Sequence, residues 1–458
     1  MSTFHFQAFY FDPVLFTPTF ADEALFLTPL ILSGQLEEAK ALSEVCALPA
    51  DVEVPSYAGF ITVNAEFNSN LFFWFVPSLT DPKNAPVLLW LQGGPFASSL
   101  LGFFVEHGPY SVPSDFTEAT FRPMTWTNRY SVLYVDQPVG TGFSFTDDEA
   151  GYSRNLTDVG RDMLEFLQQF FTLFDDLAQN EFYITGESYG GKYVPAVGAA
   201  VHKNAALMRV KINFRGIAYG NGFTDPVNML EVGEFAYATG LIDRTAADYM
   251  KNVAAESREH IRAGRTELAF HNMNHLFIGH TKTRDSFFKN ITGFEYVYNY
   301  LHNKVPKDVR NYHHFVAMPA VRRAIHVGQR NFSIAREAAF TNFFEDFMRS
   351  AVPQLTILLE NGYRVLVYSG QLDIAVPTTN TENFLSKMSW SGAGRWARAP
   401  QHQWRSADGH ILYGYKKTVD NLHFVVVRNS GHLVPYDTPQ AAFSLITAFV
   451  DARKPFDG

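Results

Sequence analysis

Ser188, within Gly186-Glu187-Ser188-Tyr189-Gly190, is the residue best placed in this chain to act as a nucleophile. A strand-like run, Phe182-Tyr183-Ile184-Thr185, leads into it, and a helix-compatible segment from Gly191 to Val197 leads away. A strand, a tight G-x-S-x-G turn and a helix are the setting in which a strained turn presents a serine Oγ at the end of a sheet. An ordinary Gly-rich turn whose serine caps the next helix would carry the same five residues. A real nucleophile needs a base, and the base needs an orienting carboxylate. The C-terminal part offers one candidate for each. The run Arg364-Val365-Leu366-Val367-Tyr368 reads as a buried strand, and Asp373 lies in the loop that leaves it. The run Leu422 to Arg428 reads as another strand, and His432 lies in the loop that follows. Taken singly, Asp373 fits a turn residue, and His432 is one of 15 histidines. Their order after the serine, each just beyond a strand, is the order in which one large class of hydrolases sets out Ser, Asp and His.

These residues require a sheet to hold them. Phe60-Ile61-Thr62-Val63 and Leu71 to Val76 flank Asn68-Ser69-Asn70 and predict an antiparallel hairpin. Val87 to Leu91, Val132 to Val135 and the strand before Ser188 are continuous apolar runs, as strands covered on both faces should be. Val159, Met163, Phe166, Phe170 and Phe174 keep helical spacing and predict a crossover helix between the last two. Strands alternating with helices imply an α/β fold with a mostly parallel central sheet. From about residue 225 to about 338 the pattern changes to mixed helices and polar loops, as expected of a mainly helical cap inserted into the core. The expected organisation is an N-terminal segment (1–50) packing on the core, a first core half (51–224), the cap (225–338) and a second core half (339–458). In the cap His271 and His275 stand four apart with His280 beyond. No carboxylate or cysteine completes a ligand set, so no metal is expected.

The chain has 458 residues, 47% of them apolar, enough for a sizeable core. Its 37 Lys+Arg against 46 Asp+Glu give a net charge of −9, which argues against a nucleic-acid footprint or an anionic membrane surface. No uncharged apolar run approaches a membrane span. Phe is frequent, at 43 residues, but scattered, without repeat or low-complexity tract. Met1 to Phe6 has no basic n-region, and Asp12, Pro13 and Pro18 interrupt any apolar run, so no signal peptide is visible.

Several blocks extend the Ser188 motif. They include Leu89-Trp90-Leu91-Gln92-Gly93-Gly94-Pro95, Val105-Glu106-His107-Gly108-Pro109-Tyr110, and the run from Tyr134 to Ser144. Thr185 to Pro195, Gly220-Asn221-Gly222, Gly370-Gln371-Leu372-Asp373 and Gly431 to Asp437 follow. With these the chain resembles the serine carboxypeptidases, most closely their vitellogenic-like branch, over nearly its whole length. The resemblance implies an α/β-hydrolase fold and an exopeptidase that removes C-terminal residues from peptides. It assigns attack to Ser188, proton transfer to His432 and orientation of the imidazole to Asp373. The backbone N–H groups of Gly94 and Tyr189 would form the oxyanion hole, Tyr189 because it follows the nucleophile. Gln92, Gly93, Glu106 and Glu187 would bind the substrate's terminal carboxylate. Two carboxyls held close do not both ionise cheaply, so a shared proton would be donated to that carboxylate, favouring acidic conditions. The resemblance implies no cofactor, peptide or protein C termini as substrate, a secretory or endolysosomal lumen, and a monomer or homodimer.

Three features depart from that pattern or bear on it. Cys46 is the only cysteine, so the bridges common in the family cannot form within the chain. The sequons at Asn155, Asn290 and Asn331 would suit a luminal glycoprotein, though three are near chance for this length. After Gly94-Pro95 the family usually has Gly, whereas this chain has Phe96. Its ring either turns away to line a pocket or intrudes where peptide should lie. Two other function classes therefore stand beside the exopeptidase. One is a catalytically weak binding protein blocked by Phe96; the other is an esterase or acyltransferase, against which the carboxylate-binding group argues.

Overall fold

The computed structural model describes residues 23–278, 285–333 and 337–451. The N-terminal residues read for a signal peptide, and His280, lie outside them.

Twelve strands are formed among the described residues. They are β1 (Tyr57–Asn64), β2 (Ser69–Val76), β3 (Val87–Leu91), β4 (Tyr110–Ser111), β5 (Thr120–Phe121) and β6 (Ser131–Val135). In the second part come β7 (Phe182–Glu187), β8 (Phe214–Gly220), β9 (Arg364–Gly370), β10 (His402–Arg405), β11 (Leu412–Val419) and β12 (Leu422–Val427). Ten of them make one sheet in the order β1-β2-β6-β3-β7-β8-β9-β12-β11-β10. The six strands from β6 to β12 in that order pair in parallel, and the two strands at each edge run antiparallel. The mostly parallel core expected from the apolar runs is present. Every residue of β2, β3, β6 and β7 is buried, because both sheet faces are covered.

The hairpin forms as predicted, with Phe60 opposite Phe72, but Ser69 and Asn70 belong to β2 rather than to the turn. Asn68 makes the turn at φ +48°, a conformation asparagine tolerates better than most. The crossover helix runs over Leu156–Leu173. Asn155 caps it by accepting hydrogen bonds from Thr157 and Asp158 N–H (2.9 and 3.0 Å), and Asp158 meets the positive end of its dipole. Val159, Met163, Phe166 and Phe170 face the sheet, while Phe174 is the C-cap. The sequon asparagines Asn290 and Asn331 are exposed, whereas Asn155 has its carbonyl occupied by the cap.

Between β8 and β9 the chain is mainly helical, with Arg244–Arg262 the longest helix. Val232, Ala236, Met250, Leu276 and Phe288 form a small core there, which Ile374 joins from the loop after β9. That contact places the insertion over the C-terminal ends of the parallel strands. His275 Nε2 pairs with Tyr249 Oη at 2.9 Å, and His271 lies 3.7 Å from Glu267. Among the described residues no group of three His, Cys, Asp or Glu side chains could hold a metal ion. No described helix is long and apolar enough to cross a membrane.

Candidate active site

Ser188 follows β7 and precedes the helix Gly190–Asn204. It adopts φ +60°, the left-handed conformation, and its N–H donates to Gly220 O at 3.0 Å. Such a conformation costs a non-glycine residue on the order of 1–2 kcal/mol and persists only where the surroundings enforce it. The enforcement is visible on the facing loop. A Cβ built on Gly93 would lie only 2.6 Å from Ser188 Cβ and closer still to Tyr189 N. Only glycine lets the loop after β3 approach the turn so closely. That loop carries Gly94, and neither Gly94 N–H nor Tyr189 N–H is donated to another described group.

Asp373 and His432 meet directly. His432 Nδ1 lies 2.6 Å from Asp373 Oδ2, and both side chains are buried. His432 Nε2 has no hydrogen-bond partner among the described residues, so it is the ring nitrogen left to take a proton. Asp373 is itself held: Oδ1 accepts from Ala375 N–H (2.8 Å) and Oδ2 also accepts from Asn221 Nδ2 (2.7 Å). Asn221 follows Gly220, the residue that receives Ser188 N–H, and its Oδ1 accepts from Gly370 N–H at 3.1 Å. One asparagine thus ties the ends of β8 and β9 together beside the serine turn. The Tyr298 ring stacks on His432 with centroids 4.2 Å apart and 19° between planes, and Tyr298 O accepts His432 N–H.

A second cluster adjoins the first. Gln92 Nε2 donates to Glu187 Oε1 at 2.9 Å, and Trp90 Nε1 donates to Gln92 Oε1 at 2.9 Å, which fixes the amide orientation. Glu106 and Glu187 are buried and close enough for each to act on the other's ionisation. Burial raises the pKa of both; for Glu187 the negative charge of Glu106 adds to the rise. Both Glu106 oxygens and Glu187 Oε2 have no donor among the described residues. One proton between the two carboxyls would supply that donor, whereas two carboxylates would repel.

The fold gathers Gln92, Gly93, Gly94, Glu106, Glu187, Ser188, Tyr189, Asp373 and His432, the candidates of the sequence, at one end of the sheet. Asn221, Tyr298 and Lys192 have no role legible in the sequence. Lys192 is fully buried; its Nζ donates to Asp346 O (3.0 Å) and Phe347 O (2.6 Å) and sits 5.0 Å from the Tyr189 ring. It therefore anchors the segment around Phe347 beneath the serine turn. Asn221 belongs to the Gly-Asn-Gly block, but nothing local reveals its partner 152 positions away.

At Phe96 the structure bears on the two alternatives left open by the sequence. Phe96 adopts φ +69° itself, and its ring is fully buried, edge-on to Phe343 (5.7 Å) and Phe340 (6.4 Å). The ring packs into the aromatic core rather than standing exposed in the site. Phe96→Gly should therefore destabilise the fold: loss of the packed ring costs about 3–5 kcal/mol, offset by about 1–2 kcal/mol of relieved backbone strain. Peptide kcat/KM should not rise. Chemical denaturation and steady-state kinetics check both, and a tenfold faster variant would restore the obstruction idea.

A buried Asp–His couple beside a strained serine turn on a parallel sheet is the arrangement of an α/β-hydrolase using a serine nucleophile. The serine carboxypeptidase family model matches residues 47–452. A venom serine carboxypeptidase of Apis mellifera is 46% identical, with 93% of this chain and 90% of that one covered. A human protein named probable serine carboxypeptidase CPVL is 43% identical and the vitellogenic carboxypeptidase of Aedes aegypti 42%, each with 90% or more of its length covered. The solved structure of Kex1(delta)p, a prohormone-processing carboxypeptidase from Saccharomyces cerevisiae, superposes with TM-score 0.79 at 22% identity, covering 90% of this chain and 96% of that one. This chain belongs to the serine carboxypeptidase family. It is a serine-type carboxypeptidase, a hydrolase acting on C-terminal peptide bonds.

Proposed function

We propose that the enzyme removes C-terminal residues from peptides through an acyl-enzyme on Ser188 and does so best in acid. Ser188 Oγ attacks the last peptide carbonyl while His432 Nε2 takes its proton. His432 then gives that proton to the leaving amine, and the freed residue departs. Water attacks the ester by the reverse sequence, releasing the shortened peptide and regenerating the serine. Asp373, held by Asn221 and Ala375 N–H, keeps Nδ1 protonated and stabilises the imidazolium. Gly94 and Tyr189 N–H stabilise the oxyanion that appears only in the transition state.

The observation that carries the exopeptidase specificity is the buried Glu106–Glu187 pair beside Ser188, oriented by Gln92. A proton held by that pair is a donor aimed at a carboxylate, and Gly93 lies next to it. An internal peptide bond or a simple ester offers nothing for it to bind. The same proton points to an acidic compartment, the secretory or endolysosomal lumen, and one relative carries venom in its name. A free-acid peptide, its C-terminally amidated copy and a simple ester, followed by mass, test the proposal. Stepwise trimming of the free peptide, far faster than any change to the amidated one, is expected. Ester cleavage without trimming would replace it with an esterase, and no turnover of any would replace it with a binding protein.

A further inference from the structure

Glu106 does not sit on an ordinary helix. Gly102–Glu106 form a buried π-helical turn, a geometry that is rare and concentrated at functional sites. The last carbonyls of a helical turn have no partner within it, and here a side chain from elsewhere gathers them. Arg122, just after β5, donates from Nη2 to Phe104 O (2.5 Å) and from Nη1 to Gly108 O (2.6 Å) and, more weakly, Phe103 O (3.4 Å). Its own N–H donates to Pro109 O at 2.7 Å, and β5 pairs with β4 directly after that segment. On its other side the turn is pressed onto Trp90, the indole that orients Gln92. A Cβ at Gly102 would lie only 2.3 Å from the indole Nε1. Arg122, the π-turn, Trp90, Gln92 and the carboxyl pair are therefore one connected unit.

We propose that Arg122 is a positioning residue for recognition of the substrate's terminal carboxylate, its guanidinium clamping the π-turn that presents Glu106 to Glu187. The proposal deepens the carboxylate-binding role of that pair and rests on it. Arg122 touches neither the serine turn nor the Asp373–His432 couple, so it acts on binding rather than on acyl transfer. The planar guanidinium fork suits this clamp, because three carbonyls converge on two nitrogens, which a lysine ammonium on a flexible stem does not reproduce. Its charge has a second effect. The groups facing Glu106 are Glu187, Arg122 and Asp437, with the phenols of Tyr134, Tyr298, Tyr312 and Tyr368 farther out; neighbouring His107 is kept neutral by burial. Arg122 is the cation among them that opposes the rise in Glu106 pKa, so removing its charge shifts the pair's titration upward.

Arg122→Lys and Arg122→Gln separate the two effects. In both, KM for a free-acid peptide should rise by about tenfold or more, as expected when a binding group is displaced by a fraction of an ångström to an ångström. Acylation of Ser188 by a small phosphonylating reagent should stay within about threefold of the parent. The pH at which KM climbs should move upward in Arg122→Gln and stay put in Arg122→Lys. Equal losses for free-acid peptide and small reagent would overturn the proposal, since a general structural role predicts that result, as would an unchanged KM in both variants. If Arg122→Gln does not fold, Arg122→Lys decides by its KM and reagent rates alone. Glu187→Gln is measured alongside. If it leaves the KM profile untouched, the carboxylate pair itself has been misread. If it flattens the profile while the Arg122 variants do nothing, the clamp alone is wrong.

Discussion

Ser188→Ala should lower peptide kcat by at least about 10⁴-fold, about 5.5 kcal/mol of lost transition-state stabilisation, and should abolish covalent labelling by serine-directed phosphonates. Alanine is the informative replacement because it keeps Cβ. The φ of +60° is then retained, along with the Ser188 N–H bond to Gly220 O, and the fold has no reason to change. His432→Ala should fall to a similar level. The double variant should be little worse than either, because nucleophile and base act as a unit and their losses do not add. Asp373→Asn should cost about 10⁴-fold by favouring the wrong imidazole tautomer. It would do so by presenting an amide N–H where Asp373 Oδ2 now receives His432 Nδ1. Circular dichroism, labelling followed by mass and single-turnover kinetics check these outcomes. Labelling that persists in Ser188→Ala would show that another residue is the nucleophile.

The parts legible in the sequence are those written in local pattern. Val87 to Leu91 and Val132 to Val135 are apolar without alternation because both faces of β3 and β6 are buried, and that needs no knowledge of the rest of the chain. Ser188, Asp373 and His432 are legible because each lies just beyond such a strand, in a fixed chain order. What is not legible depends on segments far apart. Asn221 reads as half of a Gly-Asn-Gly turn until β8 and β9 are laid side by side, which puts Asp373 against it. Tyr298 belongs to the insertion and reaches His432 only because that insertion folds back over the strand ends. Arg122 sits in a polar stretch, and only the carbonyls at and just beyond the end of the π-turn explain it. Phe96 misleads for a related reason. Its backbone adopts the conformation expected of glycine, while its ring is accommodated by Phe340 and Phe343, from a segment far along the chain.

The carboxyl pair should announce itself in a comparison of substrates. For a free-acid peptide, KM should be flat in acid and then rise by about tenfold per pH unit once the shared proton is lost. An amidated substrate needs no such donor and should lack the rise. The acyl-transfer steps are common to both substrates, so the ratio of their kcat/KM values isolates the pair. The other buried groups that titrate nearby, Asp136 (pushed up to about 7) and Lys192 (pulled down to about 7), also divide out. Glu187→Gln keeps a donor but does not titrate, and should flatten the ratio. Stability supplies an independent sign. Glu106 and Glu187 have pKa values raised by burial in the folded state, so their contribution is fully present below the unfolded value of about 4.3 and is lost as pH rises through the folded values. Removing one member also removes the like charge facing the other, so the variant should lose less. The Tm of Glu187→Gln minus that of the parent should therefore increase steadily from about pH 5 to about pH 8. If acid and amide profiles superimpose and the Tm difference does not change with pH, Glu106 and Glu187 share no proton, and recognition of the substrate carboxylate must come from Gln92 and backbone N–H groups instead.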